Sequence, residues 1–196
     1  DIAVVNVAPG IENFEVSINY VNAVEALVGE LLKKGRTHVA FLADTSRAEI
    51  EPDTRLIAMR YFLGRAGVAF DERRLCCFQD NIVTLSASEF GYNAAADILK
   101  RFPDTDAIYC VNDNIALGAY KCLSERGLRI PQDISLCGCE DMLISRYISP
   151  AISSMGYDKA EFGRLCMNNI LEQLKGNTQQ ERKYILYAEY KARSSV

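Results

Sequence analysis

Four apolar runs in this chain each end in polar residues, and most of them alternate with helix-periodic stretches closed by glycine; this restricts the fold more than any other feature. The runs are HVAFLA (38 to 43), LCCF (75 to 78), DAIYCV (106 to 111) and DISLC (133 to 137). Their length and weak polar alternation predict strands buried on both faces. Between them, apolar residues recur at helical spacing from about Asp53 to Ala66, Ser86 to Lys100 and Asp113 to Glu125, stopped by Gly67 and Gly127 in the first and last cases. Ser86 and Glu89 form an S-x-x-E capping box, in which hydroxyl and carboxylate satisfy each other's orphan amides. An earlier helix opens at Asn22 and ends at the basic Lys33, Lys34 and Gly35. Repeated β-α-β of this kind predicts a mostly parallel sheet covered by helices, an α/β fold.

The flanks fit the same scheme. AVVN (3 to 6) and VSINY (16 to 20) read as short strands separated by a turn at Pro9 and Gly10. After the central run, ISSM (152 to 155) reads as a strand, Asp158 to Lys175 as an amphipathic helix and KYILYAEY (183 to 190) as an extended segment. No low-complexity tract or fixed-period repeat interrupts the pattern.

A sheet of this type collects its strand C-termini along one edge, where loops open a crevice and helix N-termini aim their amides into it. Asp44 and Thr45, Gln79 and Asp80, Asn112 and Asp113, and Glu140 and Asp141 all fall at or just beyond predicted strand ends. They are candidates for binding a polar small molecule. Each is also an ordinary helix cap when taken singly. Arg55, in the first turn of its helix, opposes the positive end of the helix dipole and therefore invites a partner, either a ligand carboxylate or paired hydroxyls, or a neighbour such as Glu51 or Asp53.

Composition excludes several functions. The 196 residues are 49% hydrophobic and 24% charged, enough for one large or two small lobes. No apolar run approaches the roughly 20 residues of a membrane helix, and the first residues lack the basic start of a secretory signal. We expect no membrane association. A formal charge of −4 offers no basic stripe, so DNA contact is expected only through a segment outside this chain. Seven cysteines, mostly in apolar settings, suit reduced thiols and a cytoplasmic location. Cys137 and Cys139 resemble half a metal site, but no second Cys/His pair stands at ligand spacing, and neither metal nor cofactor is expected. The chain carries no phosphate-binding glycine loop, nucleophile elbow or zinc-protease helix motif. Its single histidine, His38, begins a strand and so sits opposite the candidate rim. We expect a non-enzyme.

VNDNIALGAYKCLSERGLRIPQDISLCGCED, followed by SPAISSM, resembles a segment of the effector-binding domain of LacI/GalR-type bacterial transcriptional regulators. NYVNAVEALVGELLKKGRTHVAFL, RLIAMRYFLGRAGV, SEFGYNAAADIL and the ending KARSSV resemble further blocks of that family in order. The resemblance implies a periplasmic-binding-protein-like fold: two α/β lobes joined by crossing strands, with a sugar or similar metabolite in the cleft between them. It implies a homodimer, with operator DNA held by a separate headpiece absent from this chain. By position it makes Arg55, Asn112 and Glu140 effector contacts, with Asn22 a polar cleft residue from the other lobe. It also implies that the chain is truncated at its start, with residues 1–35 and 150–177 forming a partial N-terminal lobe and 36–149 and 178–196 the C-terminal lobe. A solute-binding protein of a sugar transporter shares fold and cleft and is the alternative reading. Glu140 stands where the family has aspartate, Ala58 where it has glycine, Cys139 where it has an aromatic residue and Arg36 where it has histidine. These departures leave the identity of the effector open.

Overall fold

The structure, a computed structural model, describes residues 14–78, 86–176 and 182–196. The expected strand over 3–6, the turn at Pro9 and Gly10, and the polar pair Gln79 and Asp80 lie outside these residues. In chain order the elements begin β1 (Phe14–Asn19), α1 (Val21–Lys33), β2 (Val39–Ser46), α2 (Arg47–Ile50), α3 (Thr54–Arg65) and β3 (Leu75–Phe78). They continue with α4 (Ala87–Arg101), β4 (Ala107–Cys110), α5 (Asp113–Glu125), β5 (Ser135–Cys137) and α6 (Ile144–Tyr147). β6 (Ser154–Gly156), α7 (Lys159–Leu174), β7 (Arg182–Tyr187) and β8 (Glu189–Lys191) complete the chain.

The four predicted central strands form one parallel sheet in the order β3-β2-β4-β5. Val39 to Ala43 of β2 and all of β4 and β5 are buried, as expected of strands covered by helices on both faces. The apolar stripes of α1, α3, α4 and α5 join these strands in one core, in which Phe41 and Tyr109 meet edge to face at 5.0 Å. The buried Tyr109 hydroxyl donates to Met155 Sδ at 3.2 Å. The register of β2 against β3 shifts between Leu42 and Ser46, an irregularity that falls at Asp44 and Thr45. Such bulges re-aim side chains at the ends of strands.

A second, smaller unit pairs β1 with β7 in parallel, and α7 packs on both. β6 pairs antiparallel with β8, and a bridge from Ser153 to Cys137 attaches this ribbon to β5. The chain therefore passes between the large sheet and the small unit three times: between β1 and α1, β6 and α7, and β7 and β8. Ala23, Val24, Leu27, Val28 and Leu31 of α1 lie in the core of the large sheet, whereas β7 belongs with β1.

The basic-serine ending has a clear physical role. Ser195 exchanges backbone and side-chain bonds with β5: Leu136 N donates to Ser195 O at 2.9 Å, and the Ser195 hydroxyl donates to Leu136 O at 2.6 Å. Ser153 N donates to Ser195 Oγ at 2.7 Å, Ala151 N to Ser194 Oγ at 3.1 Å and Arg193 Nη1 to Ile152 O at 2.6 Å. The tail thus fastens the end of β5 to the segment entering β6, next to the loop that carries Glu140.

Candidate functional site

Arg55 organises the rim. Asp53 caps α3 by accepting from Arg55 N at 2.8 Å, and the same carboxylate takes the guanidinium side-on, from Nε at 2.9 Å and Nη2 at 2.6 Å. Nη1 donates to Val111 O at 2.7 Å and lies 3.8 Å from Cys139 Sγ. The side chain is 18% exposed, and the Tyr20 ring stacks 5.2 Å from its central carbon. Burial works against the charge, but the hydrogen bonds to Asp53 outweigh it and hold Arg55 protonated well above its ordinary range. A guanidinium has five N–H donors. Among the described residues these contacts occupy four, so one Nη2 donor remains for a ligand.

Asn112 is at once a cap and a rim residue. Its Oδ1 accepts from Ile115 N at 2.9 Å, starting α5, while Nδ2 lies 3.3 Å from both carboxylate oxygens of Asp44. Asp44 extends from the irregular end of β2, so the neighbouring strands β2 and β4 bring the two side chains together across the sheet.

Glu140 and Asp141 point apart. Both have left-handed backbones, with φ of 93° and 50°. This conformation is rare outside glycine and asparagine and is concentrated at functional sites. Glu140 N donates to Met155 O at 2.7 Å, which fixes the loop against β6. Its carboxyl titrates above the ordinary value chiefly because of burial; Lys159 and Arg55 oppose that shift, while Asp113 and Asp44 add to it. Asp141 instead turns to Arg193 and to Arg146 Nη2, the latter at 2.6 Å, and these two cations hold its carboxyl below the ordinary value despite burial. Behind them, the fully buried Asp113 accepts from Met142 N at 2.6 Å and Ser154 Oγ at 2.7 Å.

Of the residues expected from sequence to contact a ligand, Arg55, Asn112 and Glu140 lie near one another. Arg55 touches the residues adjacent to the other two, Val111 and Cys139. Asn22 does not join them: it is exposed in the first turn of α1, and none of these contacts reaches it. Near them lie residues that sequence reasoning did not single out as site members, namely Tyr20, Asp53, Tyr157 and Lys159, together with Asp44, one of the strand-end candidates. Tyr20 and Tyr157 sit where the chain passes between the large sheet and the small unit. Asp44 carried a legible signal as the residue ending a strand, whereas Lys159 carried none, because only the return of the chain through β6 brings it opposite Glu140. Two open grooves lie elsewhere. One of about 690 Å³ lies between the C-terminal ends of α4 and α5, and another of about 430 Å³ lies between the same helices beside Tyr92 and Leu117. Neither is lined by Asn22, Arg55, Asn112 or Glu140.

The profile of the family described as a periplasmic binding protein-like domain matches residues 28–196. The chain belongs to that family. Among curated relatives, the ribose operon repressor of Haemophilus influenzae is 34% identical over 108 residues, which cover 55% of this chain and 32% of that protein. The transcriptional repressor PurR of Vibrio atlanticus is 32% identical over 103 residues, 53% of this chain and 31% of that protein. The matched stretch thus spans about a third of the length of these relatives. A LacI family regulator from Arthrobacter sp. FB24, solved in complex with lactose, superimposes with a TM-score of 0.78 at 27% identity, covering 97% of this chain and 69% of that one. The regulator CelR, solved with cellobiose, gives a TM-score of 0.80 at 23% identity over 93% of this chain and 54% of that one, a likeness of fold. The periplasmic-binding-protein-like α/β architecture and the resemblance to LacI-type effector domains expected from sequence are therefore both found. No helix among the described residues is long and apolar enough to cross a membrane.

Proposed function

We propose that this domain senses a sugar-like small molecule for a cytoplasmic transcriptional regulator, binding it where Arg55, Asn112 and Glu140 meet. The observation that carries this reading is the convergence of three side chains from α3, α5 and the loop after β5 on one rim, with Tyr20, Tyr157 and Lys159 facing them from the segments that join the small unit. Planar donors, an amide and a carboxylate at the meeting of two units suit recognition of hydroxyl groups. The relatives named as repressors, and the lactose complex of the Arthrobacter regulator, favour this function over solute capture for a transporter.

In this reading the large unit comprises residues 20–156 and 188–196, and the small one 14–19, 157–176 and 182–187. A ligand bridging them would favour a closed arrangement and so shift the grip of a DNA-binding segment elsewhere in the protein. Homodimerisation follows from the family resemblance and belongs to the same proposal. The test uses the full-length protein, its operator fragment and a panel of sugars, with Asn112→Ala alongside. We expect one sugar to change operator affinity by tenfold or more, and Asn112→Ala to weaken that sugar's binding by about tenfold while leaving operator binding without sugar intact. Binding of sugar undiminished in Asn112→Ala, or an export signal at the start of the full-length protein, would refute the proposal.

A further inference from the structure

Resting on that reading, we infer that the pocket selects against anionic effectors, and that the ligand it fits best carries a protonated amine facing Asp44 and Glu140. The argument is one of unbalanced charge. Arg55 is the rim's strongest cation, yet Asp53 binds it through two hydrogen bonds, at 2.9 and 2.6 Å, so little of its charge is left for a ligand phosphate or carboxylate. Among the described residues Asp44 has only the amide of Asn112 against it, at 3.3 Å, a long contact for a carboxylate. Glu140 sits half-buried, its backbone locked to Met155 O and its neighbour Asp141 turned away to Arg193 and Arg146, so those two cations are not available to it.

Asp113 adds a third carboxylate directly behind, satisfied by the Met142 amide and the Ser154 hydroxyl rather than by a cation. Against Asp44 and Glu140 the opposite side supplies one exposed lysine, Lys159, and two neutral phenols, Tyr20 and Tyr157. Burial raises the proton affinity of Glu140; Lys159 and Arg55 oppose that shift, while Asp113 and Asp44 add to it. An ammonium group would supply the missing counter-charge and three donors to oxygens that lack strong partners. A phosphate ester would meet those oxygens with its own negative charge.

The experiment is calorimetric titration of the full-length protein with matched sets built on glucose, galactose and mannose: the neutral sugar, the 2-amino sugar and the 6-phosphate. In any series that binds, the amino sugar should bind at least tenfold tighter than the neutral sugar, and the phosphate at least tenfold weaker. Glu140→Gln should erase the preference for the amine over the neutral sugar. Lys159→Ala, at an exposed position, should sharpen both preferences. A phosphate that binds tightest, or an amine no better than its neutral parent, overturns this inference and leaves the sugar-sensing reading standing. Silence from all nine compounds overturns both.

Discussion

At the scale of single residues, the two readings open for each rim position turn out to be compatible. Arg55 pairs with Asp53, as a surface arginine would, and that pairing also fixes its fork in place. Asn112 caps α5 with its oxygen and presents its nitrogen to Asp44. Sequence supplies the residue types and their place after a strand, but not which atom of a side chain is already engaged. Glu140 has a consequence for stability. Its carboxyl titrates above the ordinary 4.5 in the folded chain, mainly because of burial, so the folded state holds that proton more tightly than the unfolded one. Its contribution to stability is then fully present below pH 4.5 and is lost as pH rises through the folded value. Glu140→Gln should accordingly raise Tm at pH 7 and leave it unchanged at pH 4. Equal shifts at both pH values in thermal melts would show that the effect is not one of ionisation.

At the scale of elements, the joint between α4 and α5 is the most demanding contact. A Cβ on Gly118 would come 1.9 Å from Ser88 O, and one on Gly91 would come 2.1 Å from Ile115 O, in both cases backbone atoms that cannot swing aside. Gly118→Ala must push the helices apart and should cost about 3 kcal/mol, roughly 6–12 °C in Tm. Gly64, in α3, has nothing within 4 Å of the same hypothetical atom, so Gly64→Ala should instead be neutral or stabilise by up to ~1 kcal/mol through helix propensity. Similar melting temperatures for the two variants would contradict the close packing.

The elements also mark where sequence reading succeeds and where it stops. Ser86 and Glu89 form their capping box as expected, and the boundaries of α3, α4 and α5 follow their caps and glycine stops closely. Ser46 and Glu49 form the same box, yet the four-residue α2 it opens went unrecognised, because so short a helix has no apolar periodicity. The expected extended segment over 183–190 splits at Ala188 into β7 and β8, which serve different sheets. Nothing local in KYILYAEY signals that change of partner.

At the scale of the whole molecule, the parallel large sheet was legible because each of its strands is a local apolar run bounded by helices. The small unit was not, since β1 and β7 lie more than 160 residues apart and their pairing depends on where the rest of the chain brings them. The apolar stripe of α1 packs in the core with the large sheet. In the proposed function the rim is assembled from both units, with Asp44, Arg55, Asn112 and Glu140 on one side and Tyr157 and Lys159 on the other. Hydrogen–deuterium exchange of the full-length protein, with and without its tightest-binding sugar, reads this assembly directly. Ligand should slow exchange together at residues 44–46, 54–56, 112–115, 140–142 and 157–161, segments far apart in sequence that share this one cleft. Protection confined to the groove between the C-terminal ends of α4 and α5, or to one side of the cleft alone, would contradict the account.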